Sequence, residues 1–293
     1  MTQKGYVVVA EIRKACVIGW PILHSRSPLI HRFWLRHYGI EGDYLREAVA
    51  PDQLGPFVSE LRAAGYSGAN VTLPHKSNVL ALCDRTTELA RRIGAANTLW
   101  FENGQLWGDN SDVVGFLSNL DEQAPGWDAN CEHAVILGAG GAARAILAGL
   151  AERKTPRVTI LNRSVDRAQE LKTFSEDWGF EEVNVFPLNP DGKALEGADL
   201  LVNTTSLGMS GQMQLCLDLS RLSDGAVVSD IVYTPLETEL LIGARKRGLR
   251  AASGLGMLLY QAVPGFTHWF GVQPEVTKQL RSMIEADIQR GRL

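Results

Sequence analysis

A glycine-rich turn between a predicted strand and a predicted helix constrains the fold of this 293-residue chain more than any other feature. Residues 138–143 read Gly-Ala-Gly-Gly-Ala-Ala and fit the pattern G-x-G-x-x-G/A. An apolar run at 133–137 precedes the turn, and an amphipathic helix pattern at 142–153 follows it. In this context Gly140 permits close backbone approach, and the helix N-terminus offers free N–H groups to a pyrophosphate. The turn therefore predicts a dinucleotide-binding βαβ unit.

The residues after the next predicted strand, at 157–161, discriminate between NAD and NADP. An NAD site usually has an Asp or Glu about 20 residues beyond the glycine turn, where it accepts from the ribose 2′-hydroxyl. This chain has Asn162, Arg163 and Ser164 there, with Arg167 one helical turn later. A guanidinium can bind a 2′-phosphate with two hydrogen bonds, whereas a carboxylate would repel it. The pattern favours NADP; the alternative is that both arginines are solvated surface charges.

Short apolar runs alternate with helical patterns along most of the chain, which is typical of βαβ units and a mostly parallel sheet. At roughly 100–200 residues per domain, the length indicates two domains. The βαβ pattern that contains the glycine turn starts after a polar stretch at 121–132, which is predicted to be a loop because it includes a proline and a glycine. We place a middle domain at 113–253.

The hydrophobic patterns predict the remaining elements. Further strands are expected at 15–19, 44–49, 68–72, 199–203, 226–231 and 249–252. Helices are expected at 28–38, 53–64, 77–93, 256–270 and 274–290. Asn103-Gly104 lies between two apolar stretches, and this dipeptide is a strong hairpin signal because both turn positions need a positive φ.

Charge and cysteine usage exclude several classes of protein. The 29 Lys and Arg against 33 Asp and Glu leave a net charge of −4, without a long run of one sign, which argues against nucleic-acid or membrane-surface binding. The four cysteines lie far apart, and the six histidines show no metal-ligand spacing. No apolar run resembles a signal peptide or a membrane span. We expect a cytoplasmic protein with no metal site.

Polar clusters follow the predicted strands of the first third. They lie at 24–28, 70–76, 96–98 and 108–112, and they supply hydroxyls, amides, a lysine and a carboxylate. Open α/β sheets bind their ligands at the carboxyl ends of strands. The clusters therefore suit a small, heavily hydroxylated substrate and suit an apolar one poorly.

The motifs resemble those of the shikimate dehydrogenase family, in the family's order and over nearly the whole chain. They are G-x-P-I-x-H-S-x-S-P at 19–28, N-V-T-x-P-x-K at 70–76, G-D-N-[T]-D-x-x-G at 108–115, G-A-G-G-A at 138–142, N-R-[T]-x-x-R at 162–167, N-x-T-S-x-G-M at 203–209, D-x-x-Y-x-P at 230–235 and G-L-G-M-L-x-x-Q at 254–261. The resemblance implies reversible, NADPH-dependent reduction of 3-dehydroshikimate to shikimate, a step of chorismate and aromatic amino-acid biosynthesis.

The resemblance also implies roles for single residues. Lys76 and Asp112 form the catalytic acid–base pair. The substrate is bound by these two residues and by Ser25, Ser27, Asn70, Thr72, Asn97, Tyr233 and Gln261. NADP is bound by Gly138, Ala139, Gly140, Gly141, Ala142, Asn162, Arg163, Ser164, Arg167, Thr204, Ile231 and Gly254.

The implied fold has two α/β domains. A substrate-binding domain, 1–112 with 254–293, is built from both chain ends around a Rossmann-type NADP-binding domain with a parallel sheet at 113–253. Ser111 and Ser164 stand where the family motifs have threonine, and Ser253 replaces an acidic or amide residue. Two other functions stay open: a quinate/shikimate dehydrogenase of broader substrate or NAD specificity, and a non-catalytic dinucleotide-binding regulator. Monomer and homodimer are both compatible with the sequence.

Overall fold

Two six-stranded sheets with flanking helices make up the protein, as the computed structural model describes it for residues 13–189 and 192–291. This confirms the α/β expectation. Strands of the first sheet come from residues 13–109, and strands of the second come from residues 133–253. The domain limits themselves, which include residues outside the described ones, stay a prediction.

The first sheet is mixed, and the hairpin predicted at Asn103-Gly104 supplies one of its antiparallel pairs. Its strands are β1 (Arg13–Gly19), β2 (Gly42–Ala48), β3 (Tyr66–Val71), β4 (Arg85–Thr86), β5 (Thr98–Glu102) and β6 (Gln105–Asp109). Their order is β2-β1-β3-β5-β6-β4. β1 runs parallel to β2 and β3, but β5 is antiparallel to both of its neighbours. The tight hairpin between β5 and β6, with Asn103 at φ 51° and Gly104 at φ 82°, reverses the direction.

The second sheet is fully parallel, as predicted. Its strands are β7 (His133–Leu137), β8 (Arg157–Asn162), β9 (Glu182–Pro187), β10 (Leu200–Asn203), β11 (Val227–Asp230) and β12 (Arg250–Ser253). The strand order is β12-β11-β10-β7-β8-β9. The chain adds β8 and β9 on one side of β7 and then β10, β11 and β12 on the other side. The switch point therefore lies between β7 and β10, next to the glycine turn. Parallel strands buried on both faces read as continuous apolar runs, which is why the sequence pattern located most of them.

Ten α-helices connect and cover the sheets in the described residues. They are α1 (Ser27–His37), α2 (Leu54–Glu60), α3 (Glu88–Ile93), α4 (Asp112–Gln123), α5 (Gly141–Glu152), α6 (Val165–Ser175), α7 (Glu239–Lys246), α8 (Leu255–Tyr260), α9 (Ala262–Phe270) and α10 (Lys278–Gln289). α9 packs on β1, β3 and β5, so the end of the chain returns to the first sheet. No described helix is long and apolar enough to cross a membrane.

The single helix predicted at 77–93 is wrong. The segment forms a 3₁₀ turn at Val79–Leu82, then β4, and only then α3. Thr87 ends the extended stretch because its hydroxyl accepts from the N–H of Ala90 and caps α3. The loop predicted at 121–132 begins later than expected, because α4 continues to Gln123.

The chain crosses between the sheets at two adjacent places. The first crossing is the start of α4, and the second is the link from β12 to α8. α4 and α8 lie so close that a Cβ on Gly115 would be 2.7 Å from the carbonyl of Met257. The side chain of Gln123 binds the backbone N–H and carbonyl of Ser253 at 3.1 and 3.0 Å. The two crossings therefore form one joint.

Candidate active site

Lys76 and Asp112 form an ion pair at the carboxyl ends of the first sheet. Lys76 lies in the loop after β3, and Asp112 is the first residue of α4. The Lys76 Nζ donates to Asp112 Oδ2 at 2.6 Å, with the two side chains 26% and 9% exposed. A short, partly desolvated ammonium–carboxylate contact is strong, yet the lysine keeps access to a ligand and to water. This arrangement can donate or accept a proton.

Asn97 holds the other oxygen of the Asp112 carboxylate. Its Nδ2 donates to Asp112 Oδ1 at 2.8 Å and to Oε1 of Gln261, at the end of α8, at 3.3 Å. Its Oδ1 accepts from the Ser111 backbone N–H at 2.8 Å and from the Ser111 hydroxyl at 3.0 Å. Because the N–H can only donate, the Asn97 amide has one orientation, with its donor toward Asp112. Serine at 111 thus keeps the hydroxyl that a threonine would supply.

Asn70 lies beside this group at the end of β3. Its Nδ2 donates to the carbonyl of Asn97 at 3.2 Å and to Thr98 Oγ1 at 3.3 Å, and its Oδ1 accepts from the Tyr44 hydroxyl at 2.6 Å. Asn70 is 5% exposed. The structure thus joins five of the predicted substrate-binding residues in one hydrogen-bond group: Asn70, Lys76, Asn97, Asp112 and Gln261.

The remaining predicted substrate residues stand apart from that group. The hydroxyls of Ser25 and Ser27 are 3.3 Å from each other at the start of α1. Thr72 follows β3, and its methyl group packs against the backbone at Gly19. Tyr233, after β11, has its ring beside the Arg26 guanidinium, and burial raises its pKa against the influence of that cation. No hydrogen bond among the described residues joins these four side chains directly to Lys76 or Asp112.

The glycine turn between β7 and α5 leaves room for a ligand. A Cβ placed on Gly140 or Gly141 would meet no atom within 4 Å. Gly140 is the N-cap of α5 and offers no side chain to the first-turn N–H groups. Those donors and the positive end of the helix dipole are therefore open to an anion, as a pyrophosphate site requires.

Gly138 serves the turn itself. It has φ 104°, and a Cβ there would lie 2.7 Å from Thr204 Oγ1. Thr204 donates from that oxygen to the carbonyl of Leu137 at 2.7 Å, which ties the end of β10 to the end of β7. Gly138 and Thr204 thus pack against each other where the turn begins, before Ala139 and Ala142.

The residues after β8 present a cationic surface. Arg163, Ser164 and Arg167 are exposed, and Asn162 donates from Nδ2 to the Ser164 carbonyl at 2.8 Å. Neither arginine forms an ion pair or a hydrogen bond through its side chain with the described residues. Arginines without a protein partner, beside an open helix N-terminus, fit a phosphate ester.

Ile231 and Gly254 meet at the carboxyl ends of β11 and β12. A Cβ on Gly254 would lie 2.3 Å from the carbonyl oxygen of Ile231, so the two backbones touch. Asp230, just before Ile231, is fully buried and accepts from Asn203 at 2.9 Å and from Thr238 at 2.7 Å. Burial raises the pKa of Asp230, although the hydrogen bond from Thr238 opposes the shift. This carboxyl therefore holds the end of β11 to the end of β10 and to the start of α7.

Comparison with known proteins decides the family. The model of the shikimate dehydrogenase substrate binding domain matches residues 17–99, and the model of shikimate / quinate 5-dehydrogenase matches residues 120–210. The chain is 54% identical over 281 residues to a shikimate dehydrogenase (NADP(+)) of Rhodopseudomonas palustris strain TIE-1, with 96% of this chain and 99% of that protein covered. The chain belongs to the shikimate dehydrogenase family.

Solved structures of the shikimate dehydrogenase family share the fold. Shikimate 5-dehydrogenase from Thermus thermophilus in complex with NADP(H) and shikimate is 33% identical, with a TM-score of 0.78 over 95% of this chain and 99% of that one. Quinate dehydrogenase from Corynebacterium glutamicum in complex with NAD is 29% identical, with a TM-score of 0.85 over 94% and 99% of the two chains.

Reasoning from sequence assigned no role to three residues that support the candidate site. The hydroxyls of Tyr44 and Thr98 bond to Asn70. Gln123 bonds to Ser253, at the second crossing between the sheets. Tyr44 and Thr98 lie within strands, where an aromatic or β-branched residue is ordinary. Gln123 ends a helix in a stretch expected to be a loop. Thr98 belongs to the polar cluster at 96–98, but no pattern in a single sequence distinguishes Tyr44 or Gln123 from core or surface residues.

Proposed function

We propose that the chain catalyses the reversible, NADPH-dependent reduction of 3-dehydroshikimate to shikimate, with Lys76 and Asp112 as the acid–base pair. The observation that carries the proposal is the 2.6 Å contact between Lys76 and Asp112, with Asn97 on the second carboxylate oxygen. The relatives' names and the matching family models support the same reaction.

In this reaction, bound NADPH supplies a hydride to the ring carbonyl carbon of the substrate. The Lys76 ammonium donates a proton to the carbonyl oxygen, on which negative charge develops. Asp112 keeps the ammonium in place and accepts from a substrate hydroxyl through its carboxylate. The neutral lysine then regains a proton from water, to which its side chain is 26% exposed. In the reverse direction, neutral Lys76 takes the proton from the hydroxyl of shikimate.

The polar side chains around the pair suit a polyhydroxylated acid. Asn70, Asn97 and Gln261 carry amides, while Ser25, Ser27, Thr72 and Tyr233 carry hydroxyls. Amide and hydroxyl groups discriminate strongly against a ligand that lacks the matching hydroxyl, because they are then left unpaired. We propose these seven side chains, with Lys76 and Asp112, as the substrate contacts.

NADP is the cofactor that the second sheet fits. We propose that the turn from Gly138 to Ala142 holds the pyrophosphate and that Asn162, Arg163, Ser164 and Arg167 hold the adenosine 2′-phosphate. We propose that Thr204, Ile231 and Gly254 would also hold the cofactor, with Ile231 and Gly254 at its nicotinamide end. The exposed, unpaired state of Arg163 and Arg167 in the described protein supports this assignment.

One four-way assay tests the function. Oxidation of shikimate and of quinate is followed by the absorbance of the reduced nicotinamide, each with NADP and with NAD. The proposal expects turnover with shikimate and NADP to exceed the other three combinations. Faster turnover with quinate or with NAD would instead favour a quinate/shikimate dehydrogenase, as for the Corynebacterium glutamicum neighbour. Binding of NADP without any turnover would indicate a regulator.

A further inference from the structure

A fully buried tyrosine lies beneath the candidate active site. Tyr44 is in β2, and its side chain reaches across β1 to Asn70 of β3, where its hydroxyl donates to Oδ1 at 2.6 Å. Burial raises the pKa of Tyr44 well above its ordinary value, so the phenol keeps its proton at any working pH. The hydroxyl is therefore a permanent donor to Asn70.

The ring of Tyr44 is held in one position by aromatic neighbours. His31 of α1 stacks on it with a centroid separation of 4.0 Å and an interplanar angle of 5°, and Trp269 of α9 lies 5.8 Å away. Burial lowers the pKa of His31 to about 3, so the stacked ring is neutral. Two helices therefore fix the direction in which the Tyr44 hydroxyl points.

A chain of hydrogen bonds runs from Tyr44 to the acid–base pair. Asn70, which accepts from Tyr44, donates from Nδ2 to the Asn97 carbonyl at 3.2 Å and to the Thr98 hydroxyl at 3.3 Å. The Thr98 hydroxyl lies 3.1 Å from Asn97 Oδ1, and Asn97 Nδ2 donates to Asp112 Oδ1 at 2.8 Å. All members are buried, where hydrogen-bond networks are strong when complete and costly when broken.

We propose that Tyr44 is a positioning residue for the acid–base pair: its hydroxyl holds the Asn70 amide, which holds Asn97 and through it the Asp112 carboxylate. The proposal rests on the proposed function, because it assigns Asp112 a part in proton transfer. Tyr44 itself is fully buried, so it does not touch the substrate or the cofactor, and its hydroxyl reaches the pair through Asn70.

Loss of the hydroxyl leaves Asn70 without a satisfactory arrangement. In the present orientation the buried Oδ1 loses its 2.6 Å donor. If the amide turns over, Oδ1 instead faces the carbonyl oxygen of Asn97, which also can only accept. Either way Asn97 loses part of its support, and the carboxylate that holds Lys76 shifts.

The test is Tyr44→Phe, which keeps the ring and its stacking on His31. We expect kcat for shikimate oxidation to fall about tenfold, within the hundredfold that a misplacement of about 1 Å can cost. The KM for NADP should stay unchanged, because the second sheet is untouched. Tyr66→Phe is the matched control: its hydroxyl, in the same sheet, bonds to Glu47 at 2.5 Å and leads away from the site. The control should keep the kcat of the parent enzyme.

A double-mutant cycle with Asn70→Ala separates positioning from general stability. If Tyr44 acts through Asn70, Tyr44→Phe changes kcat little in the Asn70→Ala background. An equal fall in both backgrounds, or an unchanged kcat in Tyr44→Phe, overturns the proposal. Should Tyr44→Phe fail to fold, Thr98→Val removes another link of the same chain and must lower kcat by a similar factor, or the proposal is wrong. Failure of the proposed function would look different, since the parent protein would then not oxidise shikimate at all.

Discussion

At the scale of single residues, the Asp112 carboxylate connects the buried hydrogen-bond group to Lys76, the proposed proton donor. One oxygen accepts from Lys76 and the other from Asn97, so neither is free to turn. The carboxylate is nearly buried, and a buried anion is stable only while its donors stay in place. We therefore expect the proposed proton transfer to depend on both Lys76 and Asp112.

Lys76→Ala should lower kcat by about 10²–10⁴, the usual contribution of a positioned acid–base group. Shikimate binding should weaken far less, because Lys76 acts where charge develops in the transition state. Steady-state kinetics with both substrates measures the split, and Lys278→Ala, at the exposed start of α10, is the control.

Asp112→Asn keeps the shape and removes the charge, so it should also lower kcat, and the double variant should be little worse than the worse single one. A change in KM alone, with kcat intact in Lys76→Ala, would reduce Lys76 to a binding residue.

Arg163→Ala should raise the KM for NADP much more than the KM for NAD. A charge-assisted hydrogen bond to the 2′-phosphate is lost, which is equivalent to about 1.5–3 kcal/mol, and NAD has no phosphate there. Kinetics with the two cofactors checks this, with Arg290→Ala at the end of α10 as a control for surface charge. An equal loss for both cofactors would show that Arg163 does not contact the 2′-phosphate.

The two kinds of site residue differ in how far sequence could predict them. Lys76, Asp112, Asn97 and Asn70 lie in motifs that follow strands, and the fold brings them together as expected. Tyr44 lies two strands away and is linked only through sheet order, which one sequence does not contain. Contacts between distant strands depend on tertiary pairing, and local pattern carries no signal for it.

At the scale of elements, the turn between β7 and α5 contains glycines with different tasks. Gly138 needs its positive φ and has Thr204 against it, whereas Gly140 has open space and an ordinary φ of −99°. The fold therefore requires one glycine, and we propose that the other makes room for the ligand.

Gly140→Ala should change the free energy of unfolding by about 1 kcal/mol or less, the scale of an N-cap change. It should nevertheless weaken NADP binding, since a methyl group fills the space left for the pyrophosphate. Gly138→Ala should instead destabilise the fold by about 1–3 kcal/mol through strain and overpacking. Urea unfolding and NADP titration of both variants make the comparison. Parent-like NADP affinity in Gly140→Ala would contradict the assignment of the turn.

Elements were predictable where one local rule dominated and not where two competed. Five of the six strands of the second sheet match their apolar runs to within one residue, whereas the half-exposed edge strand β9 was not predicted. The stretch at 77–93 has a helical pattern, but tertiary pairing of Arg85 with Trp107 and of Thr86 with Gly108 draws its centre into β4. The side chain of Asp84, which accepts from the Leu106 N–H at 2.7 Å, secures that pairing.

At the scale of the whole molecule, the two crossings make a joint between the sheets. We expect structures without ligand and with NADP and shikimate to differ chiefly by a rigid-body rotation of one sheet and its helices about residues 112 and 253. The bonds between Gln123 and Ser253 should persist in both states, since they lie at the joint. Crystal structures of both states measure this. One fixed relation of the two halves in every state would contradict it.

The return of the chain end to the first sheet has a consequence for synthesis on the ribosome. The second sheet is contiguous in sequence, so all its strands emerge before α8 to α10 are made. The core of the first sheet instead joins early residues such as Val17 and Trp100 to late ones such as Phe266 and Ile284. Its strands leave the ribosome first, but one apolar face stays in water until α8 to α10 have been made. The half that is synthesised first is therefore the half that finishes folding last.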